Sequence, residues 1–324
     1  MRRLRSAYEA VISRRWALIL IQLTAVGVLL FFLGWAFRGA WHEARPRLRD
    51  ASFPDLAIST GILGAYYLLF TVAWQRILAA WGVHIPYFVA LQAEMASILA
   101  KYVPGTVWIP AARIAALRRA GVRGTPLILS SMLMEAGLST LAGILVLFAS
   151  LTTVGFSAAP VLPLLLLALI TIVGLHPRVF TPGARRVFRR FGASELPPMH
   201  YSTILGLIIY YCCTWLVGGA ALFFLLRSVG GHPSATEIPY LGGIAAVSAI
   251  VAVLSLITPS GLGVREASMY GLLLAITSNG VALGVTVLNR LTITIVEAAL
   301  LLVGAVAWRY FPRPRPRVSA SAPE

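Results

Sequence analysis

The segment Leu127–Leu151 has the sequence LILSSMLMEAGLSTLAGILVLFASL, and Glu135 is its only charged residue. About 20 apolar residues are enough for a helix to cross the ~30 Å hydrocarbon core of a bilayer, so this segment predicts a membrane span. The whole chain has the same character, because 59% of its 324 residues are hydrophobic and only 12% are charged. Soluble domains average roughly 45–50% apolar and 25% charged residues. A soluble enzyme, a nucleic-acid-binding protein and a disordered scaffold are therefore disfavoured.

Five further apolar segments also predict full spans. The first of them follows a basic N-terminus, as a signal peptide would, but it is too long for one and no small-residue cleavage site follows it. We therefore interpret it as a retained first helix. The five segments are Ala17–Phe37, Leu56–Leu78, Val161–Leu175, Tyr201–Leu226 and Leu283–Trp308.

Two more stretches are apolar but interrupted. Tyr87–Ala100 runs into KYVPG at positions 101–105, and Ile238–Ile257 stops at TPSGLG at positions 258–263, before a short helical segment, Val264–Ile276. Broken backbone at membrane depth is tolerated only where it faces protein or a wet cavity. The predicted fold class is an all-α polytopic membrane protein with six full spans and two re-entrant or discontinuous helical elements. A count of eight spans, with the second stretch crossing twice, stays open.

The net charge of +16, from 27 Lys and Arg against 11 Asp and Glu, lies mostly in four segments. Cytoplasmic loops of membrane proteins carry an excess of Lys and Arg, so all four are predicted to be cytoplasmic, and no nucleic-acid partner is needed to explain the charge. They are residues 1–16, 101–123, 176–199 and 309–324, the last a disordered Arg/Pro tail. Both termini are then cytoplasmic. The loop 38–55 carries four arginines outside the cell and fits this topology least well.

Residues 17–308 are predicted to form one transmembrane domain with two halves, 17–175 and 200–308, joined by the basic loop. The first interrupted element enters from the cytoplasm and the second from outside, which is the arrangement of an inverted repeat. In transporters built on such repeats, ligands bind near the membrane midplane where broken helices meet.

Two spans carry narrow polar faces. Residues four apart lie on one side of a helix, and a charged side chain at mid-membrane costs about 2.5–3.5 kcal/mol. These faces predict either an interior cavity or an interhelical ion pair, for example Glu135 with Arg290, that only holds the bundle together. The residues are Ser131, Glu135, Ser139 and Gly143 in one span and Thr286, Arg290, Thr294 and Glu297 in the last span.

The glycine-rich break before residue 264 predicts an anion site. Gly261 and Gly263 permit close backbone approach, the following helix directs its positive N-terminal end to the same place, and Arg265 adds a fixed charge. Glu266 follows directly as a partner for balancing charge.

The first half has a looser counterpart of this break. Arg113 lies on a short basic helix predicted over 111–120, and we place it nearest the cavity mouth. Glu94 is a partner for either Lys101 or Arg113. Lys101 either contacts a headgroup or snorkels to the interface. Arg118 and Arg119 are predicted to meet lipid headgroups.

Catalytic and cofactor motifs are not evident in the sequence. It contains no Walker loop, no nucleophile elbow and no Asp-rich metal motif. Its five histidines are far apart, and its two cysteines are adjacent, so neither type has metal-ligand spacing. We therefore expect no enzymatic activity, no cofactor and no metal.

The order and spacing of these residues resemble the lysylphosphatidylglycerol synthase transmembrane-region family, also called the flippase-like domain family. The resemblance runs from about Ala17 to Trp308. It is carried by Lys101-Tyr102-x-Pro104-Gly105, Arg113, Gly121, Glu135, Pro259-x-Gly261-x-Gly263-x-Arg265-Glu266 and Arg290. It implies a protein of the bacterial or archaeal cytoplasmic membrane, related to the flippase half of the multiple peptide resistance factor. That half is thought to move aminoacylated phosphatidylglycerol between leaflets.

The chain departs from that family in two respects. It lacks the soluble aminoacyl-transfer domain, so we do not expect it to make the lipid itself. Ser260-Gly261 also stands where family members often have Gly-Gly.

The leading hypothesis is a flippase-like transporter of a phosphate-containing lipid, aminoacylated or linked to a polyprenyl or sugar group. The alternatives are an accessory membrane subunit of an envelope-lipid or glycolipid synthase and, third, a membrane-embedded transferase that uses a polyprenyl phosphate. The predicted headgroup-binding residues are Arg113, Gly261, Gly263, Arg265 and Arg290; the charge-balancing or coupling residues are Glu135, Glu266 and Glu297; and the accessory residues are Lys101 and Glu94.

Overall fold

The computed structural model describes residues 38, 41–101, 107–122, 124–154, 169, 173, 199–255, 261–310 and 317–318. Most of this part of the chain is helical. Its helices are α1 (41–49), α2 (Phe53–Ala80), α3 (Tyr87–Ala100), α4 (Trp108–Arg119), α5 (Thr125–Val154), α6 (Tyr201–Ser228), α7 (Ile238–Leu254), α8 (Val264–Leu273) and α9 (Asn279–Tyr310).

Five described helices are long and apolar enough to cross a membrane. Four of them, α2, α5, α6 and α9, confirm segments that the sequence predicts as spans. The fifth consists of α7 and the short 3₁₀ turn before it, together Ala235–Leu254. The predicted span Ala17–Phe37 and nearly all of Val161–Leu175 lie outside the described residues, so the total span count and the inverted repeat stay predictions.

Each interrupted stretch contains a helix: α3 has the limits predicted for the first, and α7 begins at Ile238 as predicted for the second but ends at Leu254 and not at Ile257. At 1.5 Å per residue, the 14 residues of α3 extend about 21 Å, which is less than the hydrocarbon core. The helix predicted over 111–120 begins earlier, at Trp108, and ends at Arg119. The segment predicted over Val264–Ile276 begins at Val264 as expected, and its regular helix ends at Leu273. Whether either element is re-entrant stays a prediction.

Two residues of the predicted disordered tail take part in the fold. Arg317 and Val318 form a strand, β2, that pairs antiparallel with β1, Val83–His84. This pairing places these two residues beside the connection between α2 and α3.

The core is built around α6, which contacts α2, α5, α7 and α9. Phe70 on α2 packs its ring 5.2 Å from Tyr211 and 5.9 Å from Trp215, both buried on α6. Large apolar side chains on the outer faces are exposed, among them Ile58, Ile209, Leu291 and Ile295. A belt of exposed aliphatic residues is what a helix needs toward lipid, where the hydrocarbon is as apolar as the side chains.

Helices α6 and α7 approach each other closely because both carry glycine at their contact. A Cβ added to Gly219 would lie 2.6 Å from the backbone nitrogen of Gly242. A Cβ added to Gly242 would lie 2.6 Å from the carbonyl oxygen of Trp215. Small residues at helix interfaces in membranes permit this backbone-to-backbone packing.

We expect Gly219→Ala to lower the unfolding temperature of the detergent-solubilised protein by several degrees. The added methyl group meets backbone atoms that cannot move away, and overpacking of this kind costs about 1–3 kcal/mol. The matched control is Gly206→Ala on the same helix, since a Cβ there meets nothing within 4 Å. Equal unfolding temperatures for the two variants would show that the α6–α7 contact is looser than described.

Candidate functional site

The first polar cluster, which we call the arginine triad, consists of Arg113 on α4 and two glutamates, Glu94 on α3 and Glu135 on α5. The guanidinium of Arg113 forms ion pairs with both carboxylates. The exposed fractions of the side chains are 7% for Arg113, 13% for Glu94 and 9% for Glu135. Three helices therefore meet through one buried cation.

Neutral groups complete the surroundings of Arg113. Its Nε donates a hydrogen bond to Ser97 Oγ at 3.2 Å, and Ser97 lies one turn beyond Glu94 on α3. The guanidinium carbon lies 4.3 Å from the ring centroid of Trp74 on α2. Stacking on an aromatic face favours a cation that has been removed from water.

The predicted polar face of α5 is buried against neighbouring helices. Ser131, Glu135 and Ser139 are all less than 9% exposed. Trp74 Nε1 donates to Ser131 Oγ at 3.0 Å, and the indole nitrogen of Trp215 donates to the carbonyl oxygen of Ser139 at 2.9 Å. The face is thus occupied by two tryptophans and by Arg113.

The second polar cluster, the lysine–arginine cluster, consists of Lys101, Arg265, Glu266, Arg290 and Glu297. Lys101 Nζ forms an ion pair with Glu297 on α9, and Tyr67 on α2 donates its hydroxyl to the same oxygen, Glu297 Oε1, at 2.7 Å. The side chain of Lys101 is only 17% exposed. This ion pair joins the first interrupted element to the last span, and the two roles predicted for Lys101, snorkelling or headgroup contact, stay predictions.

The two described glycines of the glycine-rich break allow the backbone to turn and to pack closely against α7. Gly261 and Gly263 have positive φ angles of 64° and 85°, which cost a glycine little. A Cβ on Gly261 would lie 2.6 Å from the Cα of Ala252 on α7, so the loop lies directly against that helix. Residues 256–260, including the predicted Pro259, lie outside the described residues, as do residues 102–106.

The backbone N–H of Gly263 already has an anionic partner. It donates to Glu266 Oε2 at 2.6 Å, which is the carboxylate half of a capping box at the start of α8, since Gly263 has no side chain to form the other half. The other oxygen, Glu266 Oε1, lies 3.6 Å from a terminal nitrogen of Arg290. A phosphate bound to this N–H would have to displace the carboxylate of Glu266.

The ion pair suggested by the sequence between Glu135 and Arg290 is wrong. Glu135 binds Arg113 and Arg290 faces Glu266, because the short helices α4 and α8 insert charges of their own beside the two spans. Glu94 pairs with Arg113, one of its two predicted partners.

Arg265, which is only partly buried, differs from the other charges of the two clusters in having no ion-pair partner among the described residues. Its Nε is buried without a hydrogen-bond partner in this part of the chain. It lines a cavity of about 30 Å³ whose other polar lining residues include Tyr66, Tyr67 and Asn289. Arg113 is not among the residues that line this cavity, so its predicted place at the cavity mouth does not apply to this cavity.

The polar face of α9 is rotated relative to the prediction. Thr286 and Glu297 are buried and Arg290 is half-buried, but Thr294 is exposed. Asn289, which the prediction missed, is 8% exposed and lines the cavity. Asn289 lies three residues after Thr286, and that spacing would have identified it. The prediction also missed Tyr67, because a tyrosine within an apolar segment has no charge and no spacing from a known polar residue that would mark it as part of a site.

The formal charges of the two clusters are opposite and equal. The arginine triad has one cation and two carboxylates, a net charge of −1. The lysine–arginine cluster has three cations and two carboxylates, a net charge of +1, and Arg265 is the cation without a carboxylate. The second cluster can accept one anionic group without leaving excess charge in the membrane.

Comparison with known proteins agrees with the resemblance seen in the sequence. The family model described as the lysylphosphatidylglycerol synthase TM region matches residues 19–307. No curated protein matches the chain.

We expect Arg113→Met to destabilise the protein strongly, by about 3–5 kcal/mol, because it leaves two buried carboxylates without their cation. Adding Glu94→Gln and Glu135→Gln to the same chain removes the unpaired charges and should restore most of the loss. The measurement is thermal unfolding in detergent. Arg119→Met is the control, since Arg119 lies exposed on the same helix, and equal losses for Arg113→Met and Arg119→Met would contradict a structural role for the triad.

Proposed function

The chain belongs to the lysylphosphatidylglycerol synthase transmembrane-region family, and on this premise we propose that it is a flippase-like transporter that moves a phosphate-containing lipid between leaflets. The family match supports a membrane role connected with lipids. The observation that carries the finer proposal is Arg265, a partly buried cation that lines a cavity and has no carboxylate partner among the described residues.

An unpaired arginine inside a membrane needs a physical reason. The charge costs free energy in hydrocarbon, and such residues mark ligand or ion pathways. A phosphate group offsets this cost, because the guanidinium presents several donors in a fork that matches phosphate oxygens. Tyr66, Tyr67 and Asn289 supply neutral hydrogen-bonding groups around the same cavity.

The net charge of the cluster favours a single negative charge on the ligand. A phosphodiester carries one negative charge, and it offsets the +1 of the lysine–arginine cluster. Polyprenyl-linked and aminoacylated lipids share this phosphate chemistry. The proposed ligand group is therefore the phosphate, and the rest of the headgroup is left open.

Access to Arg265 requires a change of conformation in this proposal. A cavity of about 30 Å³ admits water-sized molecules, so the conformation described corresponds to an occluded state. The ion pair between Lys101 and Glu297 ties α3 to α9, and its opening is the step that would admit a headgroup. Acyl chains would stay in the bilayer while the headgroup crosses.

We also propose that the chain is not an enzyme and that it lies in a bacterial or archaeal cytoplasmic membrane with both termini inside. The basic segments at both ends support this orientation. An envelope-lipid synthase is the partner that would supply its lipid.

The proposal is tested by leaflet translocation of fluorescent phosphatidylglycerol in proteoliposomes, with quenching of the outer leaflet as the readout. Wild-type protein should accelerate translocation over protein-free vesicles, and Arg265→Ala should remove most of the acceleration. Loss of one charge-assisted contact of about 1.5–3 kcal/mol corresponds to roughly 10- to 150-fold. Arg265→Lys should retain part of the activity.

The matched control is Arg227→Ala, since Arg227 is about half exposed at the end of α6 and lies 3.7 Å from Asp55, away from the cavity. Yield and unfolding temperature must be equal across the variants. Undiminished translocation by Arg265→Ala would contradict the site. Failure of the wild type with every phosphate lipid, together with stable co-purification with a lipid synthase, would favour the accessory-subunit alternative.

A further inference from the structure

The arginine triad contains carboxylate oxygens that accept no hydrogen bond from Arg113. Arg113 contacts Glu94 Oε2 and Glu135 Oε2, and the remaining oxygens, Glu94 Oε1 and Glu135 Oε1, are buried without a hydrogen-bond partner. Buried polar atoms of this kind are rare and need an explanation. Two carboxylates that share one cation also leave one negative charge uncompensated.

A third unsatisfied group lies beside the triad. The hydroxyl of Tyr211 on α6 is buried without a hydrogen-bond partner, and the residue is 0% exposed. Tyr211 lies within electrostatic range of Glu135, Glu94 and Arg113. A hydroxyl and two carboxylate oxygens from three helices are thus buried and unsatisfied within electrostatic range of one another.

The same site is electrostatically connected to the cavity of Arg265. Tyr66 on α2 lines that cavity, and it lies within range of both Arg265 and Glu135. The titratable and charged groups that face Glu135 are therefore Glu94 from α3, Arg113 from α4, Tyr66 from α2 and Tyr211 from α6. Tyr66 is thus a residue of the cavity lining that lies within electrostatic range of Glu135.

The other carboxylates are less suited to accept a proton. Glu297 accepts from Tyr67 and pairs with Lys101, while Glu266 caps α8 and faces Arg290. Each has its own cation and so carries no excess charge. Glu135 and Glu94 share one cation between them.

The chemistry of the triad favours a proton over a metal ion. Arg113 sits between the two carboxylates, and its positive charge would repel a metal ion placed there. Within the described residues, no group of three His, Cys, Asp or Glu side chains could hold a metal. A proton needs only one oxygen and removes the excess negative charge.

We propose that Glu135, with Glu94 as its partner carboxylate, binds a coupling proton that crosses the membrane together with the phosphate lipid held at Arg265. This inference rests on the proposed function. Proton binding brings the triad from −1 to zero, and anion binding brings the lysine–arginine cluster from +1 to zero. One lipid monoanion and one proton together cross without net charge, so the membrane potential does not oppose their transfer.

Proton binding is tested first, without any transport, by infrared difference spectroscopy of the full-length protein in lipid nanodiscs titrated with acid. The wild type should show the C=O stretch of a buried carboxylic acid that appears as the pH falls. Glu135→Gln should lose this band, Glu94→Gln should shift or weaken it, and Glu297→Gln should retain it. The triad site is overturned if the band persists unchanged in both Glu135→Gln and Glu94→Gln, or if wild type shows no titrating band.

Coupling is tested next with fluorescent phosphatidylglycerol in proteoliposomes that carry a pH step. Wild-type translocation should rise as the donor side is acidified, by up to about tenfold per pH unit while the site is mostly unprotonated. Glu135→Gln, which resembles the protonated side chain, should translocate at a rate independent of pH. Equal pH dependence in both proteins would overturn the coupling.

The outcomes separate this inference from the proposed function. A titrating band at Glu135 without lipid translocation would refute the transport function and leave the triad as a proton site. Translocation that depends on Arg265 but not on Glu135 or pH would support the function and refute the coupling. Glu135→Asp keeps the carboxylate and should restore both the titrating infrared band and the pH-dependent translocation. Measuring it together with Glu135→Gln separates the loss of the carboxylate from a folding defect.

Discussion

The cost of placing charge in hydrocarbon governs the interior of this protein. Each ionised side chain at mid-membrane costs about 2.5–3.5 kcal/mol unless it is paired, and the described helices respond by pairing charges across elements. Arg113 joins α3, α4 and α5, and Lys101 joins α3 to α9. The short helices α3, α4 and α8 lie where these pairs form, so the interruptions in the sequence and the charges in the interior have one physical origin.

The charges of the interior are not fully paired in two places. The arginine triad has one carboxylate too many, and the lysine–arginine cluster has one cation too many, Arg265. A purely structural network gains nothing from leaving a partly buried cation and a buried carboxylate without opposite charges, because breaking or omitting such a pair is costly. Their separation is better suited to binding an anion and a cation than to holding helices together.

Composition and apolar length were enough to predict α2, α5, α6 and α9, since a membrane span is defined by its own residues. The ion pairs between helices were not predictable, because the sequence does not show whether Arg113 or Arg290 lies beside Glu135. The packing of α4 against α5 determines that it is Arg113. The face of α9 was misjudged by counting every fourth residue. At 100° per residue, Thr294 lies about 80° from Thr286, whereas Glu297 lies about 20° from it. Glu266 stands three residues after Gly263, which is the position of a helix-capping residue, but it was predicted only to balance charge.

The central claim is that Arg265 holds the phosphate of a lipid. A density map of the protein in nanodiscs containing phosphatidylglycerol tests it most directly. The account predicts a phosphate within hydrogen-bond distance of the Arg265 guanidinium, with the acyl chains directed into the bilayer. A lipid phosphate bound elsewhere in the interior, with the guanidinium of Arg265 left without an anion, would contradict it.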